Sequence, residues 1–126
     1  MNASSRPDES WLKLPSARRL RRPVEFKRAY ASGKRFANEF FTASVQANDL
    51  GWPRLGMSIA ARSLRRAVDR NRVRRLIRES FRMHQQQLPA LDIVIGARSA
   101  VIAADRVNLR AALDKLWQKM TVSCVS

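Results

Sequence analysis

The sequence predicts an α+β fold: helices packed on a small mixed sheet, in the order helix, strand, strand, helix, strand, helix. Three observations predict it. Apolar residues recur at helical spacing in three separated stretches, near residues 23–33, 66–87 and 108–120. Three short apolar or alternating stretches, 39–47, 54–61 and 91–97, read as strands. The two kinds interleave along one chain of 126 residues, which suits a single layered domain.

Residues 1–15 are polar, Pro-bearing and aperiodic, and are expected to form a flexible tail, with Trp11, Leu12 and Leu14 available to pin its end to the domain of residues 16–126. Arg18, Arg19, Arg21 and Arg22 form a basic cluster before Pro23, which suits a first helical turn because its missing N–H needs no partner there. Phe26 and Tyr30 lie four apart and are expected to stack on one face of this helix, which Gly33 stops. Residues 39–47 (EFFTASVQA) form a strand, 48–53 (NDLGWP) a turn, and 54–61 a second strand in which Leu55, Met57 and Ile59 alternate with Arg54, Gly56 and Ser58. Together they suggest an antiparallel hairpin. The second helix starts at about Ser63 or Arg66 and runs to about Gln87, closed by Pro89. The nearly continuous apolar run LDIVIGA at 91–97 suits the centre of a sheet. After a loop at 98–104, Asp105 or Asn108 caps a last helix built on Leu109, Ala112, Leu113, Leu116, Trp117 and Met120.

Charge narrows the function. Lys and Arg number 25 against 10 Asp and Glu, a net charge of +15. Such a field costs stability through self-repulsion and is most useful beside a polyanion. A single cysteine, Cys124, makes no internal disulfide, and no apolar run reaches membrane-spanning length. The first ten residues lack the apolar region of a secretory signal. The expectation is a soluble cytoplasmic protein without a membrane partner. One His, one Cys and no clustered carboxylates give little basis for a metal site or a protein-based nuclease.

The most telling segment is Asp69-Arg70-Asn71-Arg72-Val73-Arg74-Arg75-Leu76-Ile77-Arg78-Glu79-Ser80-Phe81-Arg82. On a helix, Asn71, Arg74, Arg75, Arg78 and Arg82 share one arc; Val73, Leu76, Ile77, Ser80, Met83 and His84 share the opposite one, with Phe81 at its edge. Residues 62–82 hold nine arginines and two acids. Solvated helix faces mix signs to form i,i+4 pairs, whereas Arg70/Arg74, Arg74/Arg78 and Arg78/Arg82 repel unless an anion sits against them. Rigid guanidinium groups donate paired bonds to phosphate oxygens. Asn71, which both donates and accepts, suits 2′-hydroxyls or base edges as well as plain solvation. Phe26, Tyr30, Phe36, Phe40 and Phe41, interleaved with Arg28, Lys34 and Arg35, offer either core packing or a stacking platform for unpaired nucleotides, with Phe26 and Tyr30 best placed for a groove. His84 is read as structural. Use of the basic helix in a DNA groove is disfavoured, because strands flank it and no compact helix-turn-helix precedes it. A ribosomal-type structural RNA-binding protein is the alternative reading.

Ala67-Val68-Asp69 followed by the arginine segment resembles the signature helix of the protein subunit of bacterial ribonuclease P: an Arg-Asn-Arg triplet, a basic pair, an apolar pair and Arg-Glu. RLGMSIA at 54–60 is similar to that family's second strand, LPALDIVI at 88–95 to its third, VEFKRAY at 24–30 to its first helix and LDKLW at 113–117 to its last. The resemblance implies a small α+β domain with a left-handed strand–helix–strand crossover, against the general preference. It implies a partnership with a large catalytic RNA that, with bound magnesium, removes the 5′ leader of precursor tRNA, while the protein supplies no catalytic side chain and binds no cofactor alone. By position, Arg70, Asn71, Arg72, Arg74, Arg75 and Arg78 are expected to bind the catalytic RNA, and Phe26 and Tyr30 to line a cleft for the single-stranded leader. Many members have Phe where Tyr30 stands, a Lys-Lys pair where Ala61-Arg62 stands, and Gly where Arg65 stands. Arg62 then inherits the basic role, the Arg65-Arg66 pair is expected to compensate for the missing lysine, and Arg62 and Arg66 are expected to bind the catalytic RNA with the signature-helix residues.

Overall fold

The computed structural model describes residues 15–31 and 34–124, which form α1 (Pro23–Ala31), β1 (Lys34–Ala37), β2 (Phe41–Ala47), β3 (Arg54–Ser58), α2 (Ala67–His84), β4 (Leu91–Ala97) and α3 (Arg106–Cys124). The expected tail, its Trp11, Leu12 and Leu14, and the helix stop at Gly33 lie outside the described residues. The four strands make one mixed sheet in the order β1-β2-β4-β3.

The expected hairpin between the stretches at 39–47 and 54–61 is not formed. β4 lies between them, antiparallel to β2 (Ala43 opposite Ile95, Val45 opposite Ile93) and parallel to β3 (Leu55 opposite Ile93). The reason lies in β4 itself: Leu91 to Val94 and Ile95 are all buried, so this strand needs a neighbour on each edge and a cover on each face. The six residues between β2 and β3 therefore step over β4, and α2 is the crossover joining parallel β3 and β4. β2 finds its other partner in β1, a four-residue strand that sequence reading did not place. Only Phe36 in it is half-buried, so it carries no usable periodicity. The second expected strand also stops early, at Ser58. Ser63 and Leu64 both donate to the Ala60 carbonyl (3.1 Å each), turning the chain towards α2 and settling the path around Arg65.

One sheet face carries the main core. Phe41, Ala43 and Val45 of β2, Ile93 and Ile95 of β4 and Leu55 of β3 meet Val73, Leu76, Ile77 and Phe81 of α2 and Leu109, Leu113, Leu116, Trp117 and Met120 of α3. Trp117 packs edge-on against Phe81 (6.0 Å between centroids) and its indole N–H donates to Ser80 Oγ at 2.7 Å, which accounts for a serine on the apolar side of α2. Asp105 caps α3 as expected, its Oδ1 accepting the Asn108 N–H at 2.8 Å. Met83 departs from expectation: it is 72% exposed, at the last turn of α2.

The other face is covered by α1. Ala29 and Phe26 of α1 pack with Leu20 on Val94. Phe26 approaches the sheet closely because β3 offers no side chain there: a Cβ on Gly56 would stand 2.8 Å from Phe26 Cζ and 3.0 Å from Leu20 Cβ. An ionic network sets the N-terminal end of α1. Arg54 grips Asp92 with two bonds of 2.8 Å and reaches Glu25 Oε2 at 3.0 Å. Glu25 Oε1 accepts the backbone N–H groups of Arg21 (2.9 Å) and Arg22 (3.0 Å). The Arg22 and then Arg21 N–H groups hold the Glu25 carboxyl below its ordinary range; burial opposes this, and the charge of Arg54 adds to it. The bidentate Asp92 contact raises the Arg54 guanidinium in turn, against its burial.

Because Glu25 is depressed in the fold, its contribution to stability is full above the ordinary glutamate pKa and is lost as pH falls through the lower folded value. Glu25→Gln should therefore lower the unfolding free energy at pH 7 by about 1–2 kcal/mol, and the gap between wild type and variant should close in strong acid. Urea unfolding at both pH values checks this, and a gap that does not change with pH contradicts it. Gly56→Ala should cost about 1–3 kcal/mol through overpacking. It should cost less in a Phe26→Leu background, a coupling that a double-mutant cycle measures.

Candidate nucleic-acid interface

The arginines of α2 are held by burial of the opposite side of the same helix: Val73, Ile77 and Phe81 are fully buried and Leu76 nearly so. The start of the helix is braced by one of the arginines. Arg70 Nη1 donates to the carbonyls of Leu64 and Arg65, both at 2.8 Å, so its guanidinium helps to secure the loop that leads into the helix. Arg66, the N-cap, makes no side-chain cap; it is exposed and lies 4.0 Å from Asp69.

The basic surface has two flanks, which divide the arc of Asn71, Arg74, Arg75 and Arg78 read from the sequence and add Arg72 from outside it. Arg72 and Arg75, with Asn71, face α3 and line a cleft of about 320 Å³ with Val68, Leu76, Leu109, Arg106 and the buried Glu79. Arg74 and Arg78 face the other way, into a groove of about 640 Å³ bounded by Arg19, Leu20 and Phe26 and floored by Leu55, Gly56 and Met57. Among the described residues no carboxylate lines that groove. Arg74 reaches Asn71 Oδ1 at 3.4 Å. Burial, and then the like charges of Arg74, Arg75 and Arg19, push the Arg78 guanidinium below its ordinary pKa. Burial is the larger cause, and the neighbouring guanidinium groups add to it.

Arg19 reaches the groove because residues 19 and 20 run beside the outer edge of β3, where the Leu20 N–H donates to the Leu55 carbonyl at 2.9 Å. Trp52 anchors the preceding turn: its indole N–H donates to the Ala17 carbonyl at 2.9 Å, and Arg18 lies over its ring at 5.9 Å. Arg19 was legible only as one member of a basic cluster, since nothing local says which residue of that cluster meets the helix.

Phe26 and Tyr30 line neighbouring hollows under α1. Phe26 is half-buried in the wall of the Arg74/Arg78 groove. Tyr30, 41% exposed, opens onto a smaller hollow of about 230 Å³ with Thr42, Ser44, Ser58, Arg62, Ser63 and Gly96. Their rings do not stack on each other; the ring pairs among the described residues are Phe40–Phe41 and Phe81–Trp117. Arg62, grouped by sequence with the signature helix, instead lines the Tyr30 hollow. Phe41 belongs to the main core, and Phe36 and Phe40 pack against it, so packing accounts for three of the five aromatics. His84 is structural in its contacts, with Nδ1 2.8 Å from the Ser80 carbonyl and Nε2 3.4 Å from Asp114. Among the described residues no group of His, Cys, Asp and Glu is arranged to hold a metal ion, and no helix is long and apolar enough to cross a membrane.

Comparison with known proteins identifies the family of this chain. The family model described as Ribonuclease P matches residues 14–121. The ribonuclease P protein component of Thioalkalivibrio sulfidiphilus is 38% identical over 113 residues, covering 90% of this chain and 94% of the relative. That of Halorhodospira halophila is 44% identical over 106 residues, covering 83% and 87%. The solved structure of the Staphylococcus aureus RNase P protein superposes with a TM-score of 0.73 at 30% identity, covering 78% of this chain and 90% of that one. The chain belongs to the ribonuclease P protein family, the protein component of a tRNA-processing ribonucleoprotein endonuclease whose partner is the ribonuclease P RNA.

Proposed function

We propose that the two basic flanks divide the labour of that subunit in the cytoplasm. Arg72 and Arg75, with Arg66, Arg70 and Asn71, dock on the catalytic RNA. Phe26, Tyr30 and Arg62 receive the single-stranded 5′ leader of precursor tRNA under α1. Arg74 and Arg78 stand where the two polyanions meet. The observation that carries this reading is the groove that Arg19, Arg74 and Arg78 share with the Phe26 ring. A stacking ring beside cations is what an unpaired, negatively charged strand requires.

The chain supports cleavage by electrostatics and position. Catalytic RNA and precursor tRNA repel each other, and a protein of net charge +15 wedged between them lowers that repulsion. In this reading magnesium enters with the RNA. No protein side chain is given a proton-transfer or nucleophilic role.

Purified protein should restore precursor tRNA processing at magnesium concentrations where the catalytic RNA alone is poor; absence of stimulation contradicts the proposal. If about six phosphates are neutralised, log K for assembly should fall against log salt with a slope of about −4 to −5. Arg72→Ala with Arg75→Ala should reduce that slope by about 2 and weaken assembly while sparing the preference for precursor over mature tRNA. Tyr30→Ala should do the reverse, and Arg74→Ala with Arg78→Ala should diminish both. Equal defects from the first and second changes would contradict the division.

A further inference from the structure

The α2/α3 cleft contains a feature that the signature helix does not explain. Glu79 is only 4% exposed, and its Oε1 lies 3.1 Å from Arg110 Nη2 and 3.4 Å from Arg106 Nη2. Both arginines belong to the first turns of α3, and their side chains remain 47% and 64% exposed. One buried carboxylate therefore holds two cations at its rim, within the cleft shared with Arg72 and Arg75 in the case of Arg106. Three guanidinium groups against one carboxylate in the cleft lining leave an excess of two positive charges there, and Arg110 stands beside them on Glu79. Arg72 also reaches towards the α3 side, with Nη2 3.4 Å from the Val101 carbonyl.

An internal ion pair alone does not call for this arrangement. A single arginine satisfies a buried carboxylate; a second, held at 3.4 Å and mostly in solvent, adds little to stability. It does add a fixed donor beside Arg72 and Arg75. Guanidinium groups converging from two helices on one concave surface fit the backbone of a nucleic acid better than a flat basic face does.

We propose that the cleft between α2 and α3 is a phosphate-binding site for the catalytic RNA, and that Arg106 of α3 is a direct RNA ligand there alongside Arg72 and Arg75. The inference rests on the proposed docking of the α2 arginines and extends it to a second helix. Glu79 is the positioning residue: it neutralises part of the repulsion among the rim cations and keeps Arg106 directed at the cleft.

The test uses the full-length protein and its catalytic RNA, with affinity measured across a salt series. Arg106→Ala leaves the Arg110–Glu79 pair in place, so the fold should persist with an unchanged thermal midpoint. Its affinity should fall about three- to tenfold near physiological salt, and its salt slope should shrink by about 1. Arg106→Glu should lose more, with the preference for precursor over mature tRNA intact in both variants. If both variants bind as wild type does while Arg72→Ala with Arg75→Ala is impaired, the α3 site is overturned and the docking role of α2 stands. If the Arg72/Arg75 double variant is also unimpaired, the docking role itself fails and takes the α3 site with it.

Discussion

Keeping like charges in fixed positions is the constraint on which this structure depends. Three arginine pairs at i,i+4 along α2 and its last turn each cost a few tenths of a kcal/mol, so their mutual repulsion amounts to about 1 kcal/mol. Burying Val73, Leu76, Ile77 and Phe81 on the reverse side supplies roughly 1.5–3 kcal/mol apiece, so packing wins by a wide margin. The helix is therefore stable without an anion, and its cations are displayed before any RNA arrives. Two devices refine the display. Arg70 is turned back to hold the loop that enters the helix, and Glu79 draws in arginines from α3. At Arg78 burial, and then three neighbouring arginines, push the guanidinium below its ordinary pKa.

The sheet serves this helix by bringing α1 to its other side. Parallel pairing of β3 with β4 places α2 on one face, and the Arg54–Asp92–Glu25 network fixes α1 on the opposite one. The groove then crosses the edge of β3, where Gly56 lets the Phe26 ring come close. Arg54 carries one of the 25 basic side chains and yet faces inward, tied to two carboxylates at 3.0 Å or less. Net charge alone therefore does not identify which basic residues meet RNA. Position in the fold decides it.

Much of this was legible in the residues, because periodicity reports burial. The amphipathic pattern of α2, the cap at Asp105 and the central place of the LDIVIGA strand all follow from local rules. Strand pairing was not legible. The apolar alternation in β2 and β3 is compatible with a hairpin, and nothing local shows that β4 intervenes. β1 was missed because three of its four residues are exposed and alternate with nothing. At the candidate site, the helical wheel drew Arg74, Arg75 and Arg78 as one arc and left Arg72 off it. The division into two flanks depends on what α1 and α3 bring alongside, namely Arg19 and Phe26 on one side and Arg106 on the other. Long-range placement of this kind leaves no trace in a single sequence. The resemblance to the ribonuclease P family supplied the partner's identity, and the ribosomal-type alternative gave way to the family match over residues 14–121.

The central claim is that one protein presents two distinct polyanion surfaces on either side of α2. The most direct measurement is directed hydroxyl-radical cleavage of the assembled complex with precursor tRNA, with the iron chelate attached through a cysteine at position 75 or position 30 and Cys124 replaced by serine. The account predicts scission of the catalytic RNA from position 75 and of the tRNA leader from position 30. Cleavage of the same RNA segment from both positions would contradict it.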